Sequence, residues 1–328
     1  MKKHIFFIVL IIGFPYLFCV IGGMFCERLQ LGQGDNRIEH NHLGKDILIE
    51  INGLYKTMDV EEYVLGVLPG TISVDYDMEA LKVQAILIRT NVLKEMEEKG
   101  SADALDLSYQ YLSVEERRDL FGARNFERYS NKFERAVVET AGKVLRQEDT
   151  LIMAMYHEVS IGKTASATEV LGEEIAYLQS VDSSQDVEAK YYMNVVSYTW
   201  EQLQQLDNKD NEAVINKETE QVVETTKEEE QGKSQDIQVS EATENGFVKK
   251  LSVDGTIYTG EESVERYGLS SMNFYVEKME DGVRFVCLGK GNCLGISQYG
   301  ANWMALNGKN AEEIIDHYYK KVSIEDYR

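Results

Sequence analysis

Three carboxylates lie close together in the sequence, and their residue type is compatible with proton-transfer chemistry. They are Asp75, Asp77 and Glu79. A carboxyl group with a raised pKa in a partly dry cleft gives and takes a proton near neutral pH, as general acid–base catalysis requires. The same residues precede a helical pattern, where acidic side chains cap the first turn or are stabilised by the helix dipole. The sequence leaves both interpretations of each carboxylate open.

A second group of polar side chains follows an apolar run at 151–156. It comprises His157, Ser160, Lys163 and Thr164. The Ser-x-x-Lys spacing is compatible with a nucleophile and its base, but it is short and common, so a groove-lining or loop-shaping role is the alternative. His157 is compatible with a metal ligand or with a hydrogen-bonded structural histidine, and no Cys lies near it in the sequence. We predict no cofactor, with zinc at this histidine as the alternative.

A third group lies near the C-terminus and is suited to holding a sugar. The hydroxyl of Ser297 and the amide of Gln298 are able to pair with sugar hydroxyls and N-acetyl groups, and Tyr299 offers an aromatic face. The alternative is that this segment packs beneath the last helix. Cys287 and Cys293 precede it, and their separation permits a disulfide without requiring one.

The composition indicates a folded protein that does not bind nucleic acid. The chain has 328 residues, with 34 Lys and Arg against 56 Asp and Glu, a net charge of −22. Recognition of phosphates needs a basic face, so this charge argues against a nucleic-acid partner. The 19 Tyr and 11 Phe exclude a wholly disordered chain, and 4 Cys are too few for a disulfide scaffold.

The N-terminus has the pattern of a membrane anchor. Lys2 and Lys3 precede an uncharged run over 5–25. As a helix rising about 1.5 Å per residue, this run spans the roughly 30 Å hydrocarbon layer. The preceding positive charges predict a cytoplasmic tip at 1–4, with the bulk of the chain outside the cytoplasm. A cleaved signal peptide is the alternative, although the exit over 21–27 is a poor match to the small-x-small pattern of a cleavage site.

The spacing of apolar and turn residues predicts the elements that position these groups. Hairpins are predicted at Asn52-Gly53, Asp254-Gly255 and Asp281-Gly282. Helices are predicted over 59–67, with a stop at Pro69-Gly70, and over 77–99, 131–145 and 310–318, with a buried strand over 151–156. Strands and helices interleave without a regular βαβ order. This pattern favours an α+β fold, a single mixed domain over 46–322.

Two segments differ in composition from this domain. Residues 26–45 are polar without an apolar period and read as a tether; a metal role for its pair His40 and His42 is a remote alternative. Residues 201–245 carry 13 acidic residues and 4 Lys but no Phe, Tyr or Trp. Such a stretch buries too little surface to offset its ordering entropy, so we predict a disordered surface insertion.

Three groups of motifs lie in a characteristic order along the chain. They are Glu62-Tyr63-Val64-Leu65-Gly66-Val67 with Glu79-Ala80-Leu81-Lys82-Val83-Gln84-Ala85, then Tyr156-His157 with Ser160 and Gly162-Lys163-Thr164, then Gly295-Ile296-Ser297-Gln298-Tyr299-Gly300-Ala301 with His317-Tyr318-Tyr319. With this order and spacing, the chain resembles the SpoIID/LytB family over nearly all of 47–319, apart from the acidic insertion. The substrate-binding residues that the resemblance implies are His157, Ser160, Lys163, Thr164, Asn292, Ser297, Gln298 and Tyr299.

The resemblance implies a membrane-anchored, extracytoplasmic protein that acts on peptidoglycan in the engulfment step of sporulation. The implied substrate is a glycan strand stripped of its stem peptides, and the implied reaction is lytic transglycosylation. One carboxylic acid protonates the glycosidic oxygen and then, as the carboxylate, helps the sugar's own C6 hydroxyl close a 1,6-anhydro ring. The implied partners are peptidoglycan glycan strands and stage II sporulation protein P- and M-like proteins.

The sequence departs from the family pattern at two positions. Thr71, eight residues before Glu79, stands where the resemblance places the catalytic Glu, and a threonine hydroxyl does not donate a proton near neutral pH. Asn292 stands where the family's Gly-His-Gly-Val-Gly run has its histidine. These departures favour a glycan-binding or scaffolding protein with a degenerate catalytic site. The alternative is an active lytic transglycosylase whose acid has moved to Asp75, Asp77 or Glu79.

Overall fold

Local turn and capping signals set the first elements of the fold. The structure is a computed structural model that describes residues 42–206 and 236–327. The predicted turn at Asn52-Gly53 joins β1 (Asp46–Ile51) to β2 (Leu54–Asp59), and both turn residues adopt positive φ. The first hairpin prediction is therefore confirmed.

Two helices follow the first hairpin. Asp59 caps α1 (Val60–Thr71) by accepting a hydrogen bond from the backbone N–H of Glu61 at 2.9 Å. The predicted stop at Pro69-Gly70 is wrong, because α1 continues through both residues. The next helix, α2 (Met78–Lys99), confirms the prediction over 77–99: Asp77 caps its first turn, and Gly100 ends it in the left-handed conformation.

The helix predicted over 131–145 is wrong at both ends. After α3 (Val114–Phe121), the chain forms α4 (Phe126–Glu139) and then turns into β3 (Lys143–Gln147). The hydroxyl of Thr140 donates back to a carbonyl of the last turn, and Gly142 adopts φ 71°, which an α-helix does not allow. Val144 and Leu145 are fully buried as strand residues, so tertiary pairing overrides their helical spacing.

The remaining elements alternate between short strands and short helices. In chain order they are β4 (Thr150–Leu151), β5 (Tyr156–His157), α5 (Ala167–Val170), β6 (Met193–Thr199), β7 (Ile237–Ala242), β8 (Val248–Val253), β9 (Thr256–Thr259), α6 (Gly260–Arg266), β10 (Phe274–Lys278), β11 (Gly282–Leu288), β12 (Ile296–Ser297), α7 (Gln298–Leu306), α8 (Ala311–Tyr318) and β13 (Ser323–Asp326). The β8–β9 and β10–β11 hairpins and the last helix confirm three predictions. The single strand predicted over 151–156 is instead the separate strands β4 and β5.

Within the described residues the strands form five small sheets. Their orders are β1–β2, β10–β11–β6, β12–β5, β13–β3–β4 and β7–β8–β9, and only β12–β5 is parallel. The mixture of helices with mainly antiparallel strands confirms the α+β class. One hydrophobic core packs around α2, α7 and α8, and a second lies between the β10–β11–β6 and β7–β8–β9 sheets.

The disorder predicted over 201–245 is wrong at both ends of that range. Residues 200–206 are helical, and Leu203 is fully buried in the second core. At the other end β7 pairs with β8 and buries Ile237. A few apolar side chains within a polar stretch are thus enough to fix its ends on a sheet. Residues 207–235 lie outside the described part of the chain.

The predicted membrane anchor over 5–25 precedes the described part of the chain. The tip, the anchor and most of the tether, residues 1–41, lie outside the described residues, as does His40. Within the part that is described, no helix combines the length and the apolar character needed to cross a membrane. The described residues from Leu43 onward belong to one compact unit.

A buried ion pair connects the helices of the first core. Arg89 on α2 donates to both carboxylate oxygens of Glu61 on α1, at 2.8 and 2.7 Å, and the exposed fractions of the two residues are 0 and 1%. Arg89 also donates to the carbonyl of Lys143, and Glu61 accepts from the backbone N–H of Gly142. These bonds tie α1 and α2 to the turn between α4 and β3.

Candidate functional site

Two short parallel strands bring the second and third groups of motifs into contact. In the β5–β12 pair, Tyr156 lies opposite Ile296 and His157 opposite Ser297. Gly295 enters this pairing with φ 67°, and a Cβ there would lie 1.9 Å from a backbone carbonyl oxygen of the facing segment. Only glycine fits such a close approach at positive φ. The glycine therefore allows two segments that are distant in sequence to lie side by side.

A fully buried carboxylate, that of Asp186, joins these strands to a 3-10 turn (Ser184–Glu188). Its Oδ2 accepts hydrogen bonds from the backbone N–H of Ser160 at 2.7 Å and from the hydroxyl of Ser297 at 2.6 Å. Its Oδ1 accepts from the hydroxyl of Ser183 at 3.1 Å. Buried charge is tolerated only when it is well hydrogen-bonded, so these three donors hold the carboxylate in place. We call Asp186, Ser160, Ser183 and Ser297 the Asp186 cluster.

Replacing Asp186 by Ala is expected to lower the free energy of unfolding by about 3 kcal/mol, because buried donors of Ser160 and Ser297 would lose their acceptor. Asp186→Asn retains an acceptor oxygen and the side-chain volume, so it should cost less. The measurement is urea unfolding. Asp182 is an exposed neighbour of Asp186 in the sequence. Asp182→Ala is therefore the control and should change the free energy of unfolding by about 0.5 kcal/mol or less. Equal midpoints for Asp186→Ala and Asp182→Ala would contradict the assigned role.

Gln298 connects the Asp186 cluster to the first group of motifs. It follows Ser297 at the start of α7, and its Nε2 donates to the backbone carbonyl of Thr71 at 2.8 Å and to Oε1 of Gln84 at 3.2 Å. Nε2 of Gln84 is buried and has no hydrogen-bond partner among the described residues. All three groups of motifs therefore meet at Gln298, where amide groups from two helices lie together.

Two half-buried tyrosines, Tyr76 and Tyr299, lie near this junction. The backbone N–H of Tyr299 donates to the carbonyl of Glu158 at 3.1 Å. Burial, with smaller contributions from Glu158, Asp186 and Tyr299, raises the pKa of Tyr76 to about 12. The Tyr76 hydroxyl therefore stays protonated at neutral pH and acts as a hydrogen-bonding group rather than as a base.

His157 lies beside the Asp186 cluster and is almost completely buried. Its Nδ1 lies 2.9 Å from the carbonyl oxygen of Leu294, and because a carbonyl only accepts, Nδ1 carries the proton. Its Nε2 is buried without a hydrogen-bond partner in the described part of the chain. Burial lowers the pKa of His157, while the Leu294 carbonyl and Asp186 oppose that shift. The ring is therefore neutral at neutral pH.

This burial predicts a pH dependence of stability. Between about pH 6.5, the ordinary pKa of histidine, and the lowered pKa of folded His157, only the unfolded chain gains a proton at this ring. The free energy of unfolding should thus fall with decreasing pH below about 6.5, by up to about 1.4 kcal/mol per pH unit, and be unaffected by this residue at higher pH. Urea unfolding across this range measures the effect.

The matched comparison uses two histidine variants. His157→Gln should remove this part of the pH dependence, whereas His317→Gln, at a half-buried helix position, should retain it. If the free energy of unfolding falls equally with pH in the unmodified protein and in His157→Gln, the buried ring does not titrate as described.

Comparison with known proteins identifies the family. A family model described as "Stage II sporulation protein" matches residues 52–146. The chain is 30% identical over 285 residues to "Stage II sporulation protein D" of Bacillus subtilis (strain 168), covering 84% of this chain and 77% of that protein. The chain belongs to the SpoIID family. The protein of the same name from Bacillus amyloliquefaciens is 30% identical over 291 residues, covering 84% and 76% of the two chains.

A more distant relative bears a different name. The chain is 23% identical over 305 residues to the "Amidase enhancer" of Bacillus subtilis (strain 168). This similarity covers 80% of this SpoIID-family chain but 40% of that protein.

Thr71, at the position that the SpoIID resemblance assigns to the catalytic Glu, lies at the C-terminal end of α1. The residue is half-buried, its hydroxyl donates to the carbonyl of Leu68 at 2.9 Å, and its own carbonyl accepts from Gln298. The structure thus brings Thr71 into contact with a predicted substrate-binding residue. A hydroxyl at this place hydrogen-bonds but does not supply an acidic proton.

Two of the three carboxylates proposed as relocated acids are engaged in structural bonds. Asp77 caps α2 through the backbone N–H of Glu79 at 2.9 Å. The Glu79 carboxylate pairs with Lys82 at 2.8 Å and accepts from the backbone N–H of Ala311, at the start of α8, at 2.9 Å. Asp75 is exposed in the segment between α1 and α2. Of the three, Asp75 has the greatest freedom to meet a ligand.

Three of the predicted substrate-binding residues lie away from the Asp186 cluster or shape loops. Lys163 is exposed, and its ammonium donates to the side chain of Asn245. Thr164 is buried, and its hydroxyl accepts from the backbone N–H of Val181 at 3.0 Å. The side chain of Asn292 accepts from the backbone N–H two residues later, at 2.9 Å, and so closes a turn.

The two cysteines within the described residues follow β10 and precede β12 in the chain. Cys287 and Cys293 are both buried, and the structure shows their thiols free rather than paired with each other. Cys293 adopts φ 60° in the run before Gly295, a conformation that usually favours glycine. No group of three or more His, Cys, Asp or Glu side chains is arranged to hold a metal ion within residues 42–206 and 236–327.

Four residues of this site were not predicted as site residues from the sequence, although one of them, Gln84, belongs to the first group of motifs. They are Tyr76, Gln84, Glu158 and Asp186. Asp186 lies in a polar Ser-Ser-Gln-Asp turn that looks solvated, and Gln84 occupies a helix position whose burial depends on α7. Charged and amide residues are mostly exposed, so no local signal marks these as buried.

Proposed function

We propose that this SpoIID-family protein binds the glycan strands of peptidoglycan and acts in cell-wall remodelling during sporulation. Two relatives that align over most of this chain are named for stage II of sporulation, and a third is named as an amidase enhancer. Engulfment is the setting implied by the family resemblance. Scaffolding of other wall-remodelling proteins is part of the same proposal.

The observation that carries this proposal is the junction at Gln298. Amide groups of Gln298 and Gln84, the Thr71 carbonyl and hydroxyl, and the half-buried tyrosines Tyr76 and Tyr299 lie together there. Amides and hydroxyls both donate and accept, which suits the hydroxyl and N-acetyl groups of amino sugars. Aromatic rings add faces against which a sugar ring packs.

The second part of the proposal is that catalysis is degenerate. General acid–base catalysis is typically worth about 10²–10⁴-fold in rate, and Thr71 cannot provide it. Asp77 and Glu79 do not replace the missing acid easily, because the first caps α2 and the second bonds to Lys82 and to the start of α8. The protein would then hold glycan without cutting it.

Product analysis tests both parts. Peptide-free glycan strands are incubated with the purified full-length protein, and pelleting measures binding while mass spectrometry detects 1,6-anhydro-muramyl ends. The proposal predicts binding without new anhydro ends. If the ends form and Asp75→Asn abolishes them, the protein is instead an active lytic transglycosylase with a relocated acid. Asp77→Asn and Glu79→Gln test in the same way whether one of these two carboxylates is the relocated acid.

The location and partners are also part of the proposal. The uncharged run over 5–25 after Lys2 and Lys3 supports a single-pass anchor with residues 26–328 outside the cytoplasm. Partners would be peptidoglycan and stage II sporulation protein P- and M-like proteins. Degradation of the chain by protease added to protoplasts would support this topology, and full protection would contradict it.

A further inference from the structure

An exposed tyrosine is flanked by two lysines, one of which pairs with Glu158. The side chain of Tyr191 is 59% exposed. The ammonium of Lys190 lies 5.2 Å from the centre of its ring, and that of Lys290 lies 6.0 Å from it. We call these three residues the Tyr191 platform. Together they present an aromatic surface bordered by two positive charges.

The platform is fixed to the segment that carries His157. The backbone of Lys290 exchanges hydrogen bonds with Val159, at 2.7 and 3.2 Å, and accepts from Glu158 at 3.1 Å. The Lys290 ammonium also pairs with the Glu158 carboxylate at 2.7 Å. The Glu158 carbonyl in turn accepts from the backbone N–H of Tyr299, beside Gln298. Glu158 therefore links the platform to the segment that begins α7.

The charge of the platform contrasts with that of the whole chain. The protein carries a net charge of −22, which repels anions. Glu158 neutralises only one of the two lysines, and Lys190 has no ion-pair partner in the described part of the chain. One positive charge thus remains beside an exposed ring. An exposed ring beside a positive charge suits a ligand that combines the apolar face of a sugar with a carboxylate.

We infer that the Tyr191 platform is a subsite for a carboxylated amino sugar, the muramyl residue with a free lactyl carboxylate. The inference rests on the proposed glycan-binding function and deepens it. A stem peptide attached to the lactyl group converts the carboxylate to a neutral amide and adds bulk. The platform therefore favours strands without stem peptides, because removal of the peptide leaves a negatively charged lactyl carboxylate.

The experiment compares two forms of the same peptide-free strand. One form keeps its lactyl carboxylates, and in the other they are converted to methylamides. The full-length protein is expected to bind the carboxylate form about three- to tenfold more tightly at low salt, as expected for one or two exposed ion pairs. This preference should shrink as salt screens the charges.

Matched variants assign the preference to the platform. Lys190→Gln combined with Lys290→Gln should abolish the preference, whereas Lys249→Gln combined with Lys278→Gln makes the same change in net charge at other exposed sites and should retain it. Tyr191→Ala should weaken binding of both strands. Tyr275→Ala removes a comparably exposed tyrosine, 48% exposed, and should change neither affinity.

The outcomes separate this inference from the proposal on which it rests. Equal affinity of the unmodified protein for both strands would overturn the subsite while leaving glycan binding intact. A preference that survives in the Lys190 and Lys290 double variant would also overturn it. Binding of neither strand would contradict the proposed function itself, and the subsite with it.

Discussion

Replacing Arg89 by Ala is expected to lower the free energy of unfolding by about 3–5 kcal/mol. Arg89 and Glu61 form a two-pronged ion pair with exposed fractions of 0 and 1%, so the substitution leaves the Glu61 carboxylate buried without its cation. The Lys143 carbonyl loses a donor as well. Urea unfolding measures the change, and the protein should remain folded only at low denaturant.

A surface ion pair of the same region is the control. Lys56 and Glu62 lie 2.6 Å apart with 53 and 38% of their side chains exposed, so Lys56→Ala should cost less than about 1 kcal/mol. Replacing both Arg89 and Glu61 by Met should cost less than Arg89→Ala, because no buried charge remains unpaired. If Arg89→Ala costs no more than Lys56→Ala, the pair does not organise the first core.

Thr71→Glu is expected to raise the release of 1,6-anhydro-muramyl ends from peptide-free strands by at least about 100-fold over background, the lower range for general acid–base catalysis. The expected reason is that a carboxyl group would stand at the end of α1, beside Gln298, at the position that the family resemblance assigns to the acid. Mass spectrometry of the soluble products measures the rate.

The control introduces the same charge two residues further along. Ser73 is exposed, and Ser73→Glu should produce no anhydro ends. Glycan binding by Thr71→Glu is measured in parallel, so that loss of binding is not mistaken for absence of chemistry. Binding without cleavage by Thr71→Glu would show that more than the acid is missing.

Turn and capping residues correctly predicted the elements whose ends are set by residues close to them in the sequence. The hairpin at Asn52-Gly53 and the helix over 77–99, between Asp77 and Gly100, follow from turn and capping chemistry that acts over a few bonds. The helix predicted over 131–145 failed for the opposite reason. Its C-terminal part pairs with β13, a strand far along the chain, and no local pattern reveals that partner.

The acidic segment illustrates the same limit. Its charge and lack of aromatic residues predicted disorder over 201–245, yet the burial of Leu203 and Ile237 fixes both ends on the second core. Composition averages over a segment, whereas burial depends on single side chains and on the surface that receives them.

The sequence by itself indicated the family and the α+β class, because ordered motifs and short-range turn chemistry depend on consecutive residues. It also singled out Thr71, Gln298 and Tyr299 among the residues of the junction. Only the tertiary structure decided that Asp186 is the buried acceptor for Ser160 and Ser297, and that Gln298 contacts Thr71. These contacts join residues far apart in the chain. They form because β5 and β12 pair in parallel, and that pairing depends on packing of the whole domain rather than on any local preference.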